Sequence, residues 1–319
     1  MSQLVNGIWQ REPFRPTSAD GKFIRPDSQF RNWVTADGSS GFPAEPGRYH
    51  LYVSLACPWA HRTLIFRVLK GLQEMVSVAV VHPHMGEQGW EFRDCEGCTA
   101  DTVNNFQYAH QLYTLAKPAY TGLVTVPILW DQQRRTIVNN ESSEIIRMLN
   151  SEFNACGAAA VDFYPANLRA EIDTINDFVY ARVNNGVYRA GFSSTQEAYE
   201  EAFDSLFAAL DILEKRLSTQ RFLVGDRLTE ADWRLFPTLV RFDAVYYSHF
   251  KCNRQRLIDY PKLWAYTREL YQIPGVEGTV NLAHIKQHYF TSHPGINPSG
   301  IIPKGPALDF SAAHGRDRP

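Results

Sequence analysis

Tyr49-His50-Leu51-Tyr52-Val53-Ser54-Leu55, followed by Ala56-Cys57-Pro58-Trp59-Ala60-His61, is the stretch on which the fold turns. Its first half alternates in the manner of a strand, while Leu64, Ile65, Val68, Leu69 and Leu72 recur at helical spacing. Pro58 suits the first helical position, where no backbone donor is missed, and Gly71 suits the left-handed residue that closes a helix. Cys57 then falls at the N-cap. There its sulfur meets unpaired N–H groups and the positive end of the helix dipole, both of which favour thiolate over thiol. A helix end supplies about 0.3–1 kcal/mol, up to about 2 when partly buried, against about 1.36 kcal/mol per pKa unit. The dipole alone therefore moves a thiol by about one unit, and a resting thiolate needs further donors. The competing reading is a buried, inert cysteine.

Outward from this stretch, Val76 to Val81 is a β-branched run of strand length, so strand, helix and strand predict a right-handed βαβ unit with two parallel strands. Residues 82–120 form a long segment without convincing core periodicity until Phe106 to Leu115, a candidate lid or substrate wall. Thr125-Val126-Pro127-Ile128-Leu129-Trp130 and Thr136-Ile137-Val138 flank Asp131 to Arg135 and read as a hairpin. The proline in its first strand implies an edge, a bulge or a cis bond beside a site. Asn140-Glu141-Ser142-Ser143 precedes Glu144 to Leu149, a helix whose start presents free N–H groups to an anion.

Beyond Tyr164-Pro165 the pattern is helical almost throughout, over 166–185, 195–218, 229–248, 261–272 and 276–288. Turn signals stand at Asn185-Gly186, Gly225-Asp226 and Pro274-Gly275. Thr229 with Asp232 three residues on marks one helix start as a capping box. The expected organisation is an N-terminal extension (1–48) docked by Trp9, Phe14, Phe23, Phe30 and Trp33, an α/β domain (49–160), an all-α domain (161–290) and an irregular tail (291–319).

The 319 residues suffice for two domains, and a formal charge of −2 with interspersed signs argues against a nucleic-acid or anionic-membrane surface. Five unevenly spaced cysteines do not form a secreted disulfide framework, and the N-terminus lacks a signal-peptide pattern, so a soluble, cytoplasmic protein is expected. No P-loop, paired-histidine zinc helix or dinucleotide fingerprint occurs. Cys95-Glu96-Gly97-Cys98 with His82 and His84 offers four zinc-ligand types at an atypical spacing, or two thiols for a reversible disulfide. Cys156 and Cys252 read as packing residues, and His61 and His249 as structural partners.

Taken in order, Cys57-Pro58-Trp59-Ala60-His61-Arg62, Val126-Pro127-Ile128-Leu129-Trp130-Asp131, Asn140-Glu141-Ser142, Asn184-Asn185-Gly186-Val187-Tyr188 and Phe242-Asp243-Ala244-Val245-Tyr246 running into His249-Phe250-Lys251-Cys252 resemble the xi-class glutathione transferases, the glutathionyl-hydroquinone reductases. The resemblance covers nearly the whole chain. It implies a thioredoxin-like domain followed by a helical bundle, a homodimer, glutathione as co-substrate without metal or nucleotide, and reductive removal of glutathione from S-glutathionyl-hydroquinones. It further implies Cys57 as nucleophile, Tyr188 as proton donor, and Tyr246 and Tyr289 as phenols stabilising the thiolate, with Tyr247 a neighbouring alternative to Tyr246. Trp90, Leu123, Val124, Thr125, Val126, Glu141 and Ser142 match the glutathione-binding positions. Leu123 stands where members of the family commonly carry arginine, so a guanidinium clamp is missing or comes from elsewhere.

The chemistry suits these residue types. Glutathione brings two carboxylates, an ammonium and an extended backbone, which ask for helix-start N–H groups, an acid and a free strand edge. A hydroquinone asks for aromatic walls and phenolic donors. Rival readings are a general thioltransferase or dehydroascorbate reductase, which needs the same cysteine but not three tyrosines, and a non-catalytic transferase-fold module.

Overall fold

The computed structural model describes residues 3–11 and 17–316; Phe14 lies outside them. The chain forms two compact units, each discontinuous in sequence: 1–15, 26–161 and 283–292 make the first, and 16–25, 162–282 and 293–319 the second. The contiguous segments 49–160 and 161–290 expected above therefore differ from the observed units. Residues 283–292 group with the first unit and 16–25 with the second.

In the first unit, β1 (Gln3–Val5), β2 (Ile8–Gln10), β3 (Tyr49–Val53), α1 (Pro58–Leu69), β4 (Val76–Val80), α2 (His110–Ala116), β5 (Gly122–Leu123), β6 (Ile128–Asp131), β7 (Thr136–Asn139) and α3 (Ser142–Ser151) follow in order. Four strands make a mixed sheet in the order β4-β3-β6-β7, with β3 and β4 parallel as the βαβ reading requires and the other pairs antiparallel. All five residues of β3 are buried, because the central strand is covered on both faces. Gly71 has φ +65°, the left-handed stop expected after α1. The Val126–Pro127 bond is cis, and β6 begins only at Ile128. Pro127 thus precedes the strand and is not inside it, so it withholds no ladder donor. The sheet irregularity falls between Leu129 and Trp130.

Part of the N-terminal segment docks by pairing: β1 lies between β2 and β5, and Leu4 and Val34 are fully buried. The 82–109 segment is anchored to the sheet. Thr99 N–H donates to the Val80 carbonyl (3.0 Å), and buried Asp101 accepts from Tyr52 Oη (2.8 Å) and the N–H groups of Val103, Asn104 and Phe106.

The second unit holds α4 (Arg169–Val179), α5 (Gly186–Gly191), α6 (Gln196–Leu217), α7 (Glu230–Leu239), the single turn α8 (Tyr247–His249) and α9 (Pro261–Tyr271). Two π-turns, Tyr180–Asn184 and Phe242–Tyr246, interrupt the helical runs. The turn at Asn185-Gly186 is a single residue, Asn185, in helical backbone angles, joining a π-turn to α5. The 229–248 run divides into α7, a π-turn and α8. The final helix α10 (Leu282–Thr291) starts six residues later than its spacing suggested and, apart from Leu282, belongs to the first unit. The capping box is present: Thr229 N–H donates to Asp232 Oδ2 at 2.8 Å. The tail from 292 to 316 is irregular but fastened, with Phe310 buried beside Trp264 and Tyr271 (ring centroids 5.2 and 5.3 Å) and its carbonyl held by Gln272 Nε2. No helix among the described residues is long and apolar enough to cross a membrane.

Candidate active site

Cys57 occupies the N-cap of α1 with extended backbone angles (φ −76°, ψ 121°), and Pro58 takes N1. Its sulfur accepts the Ala60 N–H at 3.5 Å, and its thiol donates to the Val126 carbonyl at 3.3 Å. The group is 9 % exposed, so it is sheltered yet reachable. The cap contact favours the thiolate, whereas the Val126 carbonyl, an acceptor, holds the thiol proton until something displaces it.

The carbonyl partner is itself built. Tyr113, on α2, donates through its hydroxyl to the Thr125 carbonyl (2.8 Å) and accepts the Thr125 N–H (3.1 Å) and Asn140 Nδ2 (3.1 Å). Thr125 is thereby turned inward and satisfied, and among the described residues no group meets the N–H of Val126. Leu123 contributes its backbone to the β1–β5 pairing, and Val124 is buried.

At the second helix start the expectation needs correction. Helix α3 begins at Ser142, not Glu144, and Glu141 is its cap: Oε1 accepts both the N–H (3.1 Å) and the hydroxyl (2.8 Å) of Ser143. The Glu144 N–H is also taken, by the Glu141 carbonyl at 3.1 Å. Of the supposedly free donors, the Ser142 N–H is the one that no described group meets. Glu141 Oε2 receives Ser28 Oγ at 3.3 Å.

Trp90, 7 % exposed, stacks on His288 of α10 with centroids 4.9 Å apart, and His288 Nδ1 donates to the Pro83 carbonyl (2.9 Å). The adjacent Tyr289 is buried, its ring edge-on to His288. In the second unit Tyr188 and Tyr246 come together, centroids 6.2 Å apart, and share Phe250 as a neighbour. Tyr246 is fully buried, while Tyr247 is half-exposed. The Arg25 guanidinium lies 4.8 Å over the Tyr188 ring and its Nε donates to Asn185 Oδ1 (2.8 Å). Burial pushes the Cys252 thiol well up, in keeping with a packing residue, and His249 Nε2 meets His293 Nδ1 at 3.0 Å.

Sequence reasoning missed Tyr113, His288 and Arg25. Tyr113 lay within a helical pattern and looked like core. The other two act through partners distant in sequence, for which no local signal exists. Cys95 and Cys98 are joined as a disulfide, and among the described residues no cluster of three or more His, Cys, Asp or Glu is arranged to hold a metal ion.

The family model for the glutathione S-transferase N-terminal domain matches residues 56–152, and that for the C-terminal domain matches 196–269. A glutathionyl-hydroquinone reductase of Escherichia coli, YqjG, is 54 % identical over 99 % of both chains. The glutathionyl-hydroquinone reductase PcpF of Sphingobium chlorophenolicum is 55 % identical over 96 % of this chain and 97 % of its own. A xi-class transferase from Natrialba magadii superposes with a TM-score of 0.92 at 49 % identity, covering 99 % of this chain and 96 % of that one. The chain belongs to the xi class of glutathione transferases. The glutathione-bound structure of the Escherichia coli relative superposes on this xi-class chain equally well, with a TM-score of 0.92 over 98 % of each. The class assignment gives the mixed sheet and the helical second unit their family names, the N- and C-terminal domains of the transferase fold.

Proposed function

We propose that this xi-class transferase reduces S-glutathionyl-hydroquinones to hydroquinones at the expense of glutathione, with Cys57 as nucleophile. The observation that carries the reading is the Cys57 sulfur, poised at a helix N-cap and hydrogen-bonded to the carbonyl of Val126. An extended glutathione backbone pairing with Val126 competes with the Cys57 thiol for that carbonyl and weakens the carbonyl's hold on the thiol proton. Its γ-glutamyl end suits the second helix start, the carboxylate on the Ser142 N–H and the ammonium on Glu141. Trp90, Leu123 and Val124 complete the proposed glutathione set, with Thr125, bound by Tyr113, keeping the segment in place beneath it.

In the first step the Cys57 thiolate attacks the glutathionyl sulfur. The sulfur–carbon bond breaks, its electron pair passes to the hydroquinone carbon, and that carbon takes a proton from Tyr188. The product pair is hydroquinone and a Cys57–glutathione mixed disulfide. A second glutathione thiolate attacks the glutathionyl sulfur of that disulfide, returning Cys57 and releasing oxidised glutathione; solvent restores the Tyr188 proton. Phenolic donors from Tyr246 and Tyr289 are assigned to stabilise the thiolate, each such bond to a charged acceptor being worth about 1.5–3 kcal/mol. The named activity of the two reductases, and the glutathione bound to one of them, support the reading. A cytoplasmic homodimer is part of the same proposal.

The test is to mix the protein with glutathionyl-menadiol in the absence of free glutathione and to record intact mass and a peptide map. One glutathione on Cys57, released by added glutathione and absent in Cys57→Ser, is expected. Unmodified protein with intact conjugate would sink the covalent route.

A further inference from the structure

Cys95 and Cys98 take no part in the chemistry above, yet the segment around them is organised. Their Cα atoms are 4.9 Å apart, the Cys98 N–H donates to the Cys95 carbonyl (2.9 Å), and Gly97 supplies a positive φ of +72° for the turn. The flanks are fixed independently of the sulfurs, by Thr99 with Val80 in both directions (3.0 and 2.9 Å) and by the Ala100 N–H on Asp94 Oδ1 (3.1 Å). These anchors keep the two ends of the turn close enough for the bond to re-form, and leave Glu96 and Gly97 between them to be fixed by the bond. Their exposure is unequal. Cys95 is open to solvent, and Cys98 is 8 % exposed. Between them the Glu96 carbonyl accepts His284 Nε2 at 2.8 Å, from the helix that also carries His288 and Tyr289.

We propose that Cys95 and Cys98 form a second thiol–disulfide site, which exchanges with glutathione disulfide and whose redox state sets how firmly α10 is held at Glu96. The Cys95 thiolate attacks one sulfur of glutathione disulfide, giving a Cys95–glutathione mixed disulfide and one glutathione, which leaves as thiolate and takes up a proton. Cys98, its proton lost to solvent, then attacks the Cys95 sulfur and expels the second glutathione. Two electrons pass from the dithiol to the glutathione disulfide, and the reverse sequence reduces the pair. The order follows from exposure, since Cys95 is the sulfur an incoming disulfide can reach. Closure of the bond fixes the turn that presents the Glu96 carbonyl to His284, and opening it loosens that contact. The inference rests on the proposed function only in taking oxidised glutathione, that reaction's product, as the oxidant.

The full chain carrying Cys57→Ser is equilibrated in buffers of graded reduced-to-oxidised glutathione ratio, quenched by alkylation and mapped. Removing Cys57 keeps a failure of the catalytic proposal from imitating a failure here. A reversible dithiol-to-disulfide transition at 95–98 is expected. Adding Cys98→Ser should trap glutathione on Cys95, and adding Cys95→Ser should leave Cys98 at least tenfold less modified. Amide exchange over 282–291 should be several-fold faster in the reduced protein. A pair locked in one state across all ratios, or Cys98 modified as readily as Cys95, overturns the exchange site; equal amide exchange in both states overturns its link to α10. The titration and the exchange comparison need neither second-site variant to fold.

Discussion

The Tyr113 hydroxyl is a single group on which both backbone groups of Thr125 depend, with the Thr125 hydroxyl and Asn140 Nδ2 also in reach. Tyr113→Phe keeps the ring and removes only the oxygen, leaving the Thr125 N–H and carbonyl without their shared partner. An unsatisfied buried polar group costs about 1–3 kcal/mol, so stability should fall by an amount in that range. Because the 124–126 edge is proposed to hold substrate, KM for the glutathionyl conjugate should rise several-fold while kcat at saturation stays nearly constant. Steady-state kinetics on the folded variant read the split, and a fall confined to kcat would assign Tyr113 to the chemistry instead. Cys57, Pro58 and Gly71 were legible beforehand because caps and stops are local. The role of Tyr113 was not, because it depends on which loop the folded chain brings to the phenol.

At the scale of elements, the approach of α5 to Phe250 is governed by a missing methyl. A Cβ added at Gly191 would stand 2.2 Å from the Phe250 ring, the ring that stacks on Tyr246 with centroids 5.6 Å apart. Gly191→Ala must therefore displace Phe250 and disturb the Tyr188–Tyr246 pair; overpacking of this kind costs about 1–3 kcal/mol. The expected result is a lowered denaturation midpoint together with a drop in turnover of at least tenfold. Wild-type turnover in a destabilised variant would separate that ring from the proposed chemistry. The same region shows where periodicity misleads. Asn185-Gly186 has the composition of a turn, yet the helix runs on, because Asn184 Nδ2 is bound to the Arg234 carbonyl (3.0 Å) and Thr238 Oγ1 (2.8 Å) and Asn185 holds Arg25. Tertiary hydrogen bonds outweighed local preference.

For the molecule as a whole, buried titrating groups set the response to acid. Burial pushes His50 and His249 down to about 4 and Asp232 up to about 6. A depressed histidine contributes stability that is present above its unfolded value and lost as pH falls through the folded one; a raised carboxyl contributes stability that is lost as pH rises through 6. Near pH 5 the unfolded chain binds two protons on the histidines that the folded chain does not, and the folded chain binds one on Asp232. The net of one proton makes stability fall by about 1.4 kcal/mol for each unit of acidification. His84 and His110, also lowered by burial, add in the same direction, and Asp243, raised by burial, opposes them. Urea midpoints should drop between pH 6 and pH 5, and a flat or rising series would contradict this balance. The composition of the two units was the least legible property, because it rests on long-range bonds such as His284 with Glu96 and His288 with Pro83. Their interleaving has a consequence for synthesis. A chain leaving the ribosome from its N-terminus has made the sheet, Cys57 and Trp90 long before His288 and Tyr289 emerge, so the first unit waits for the whole of 162–282 to be made before it acquires its final helix. Until then Trp90 lacks the ring it stacks upon, and the growing chain carries that apolar surface uncovered.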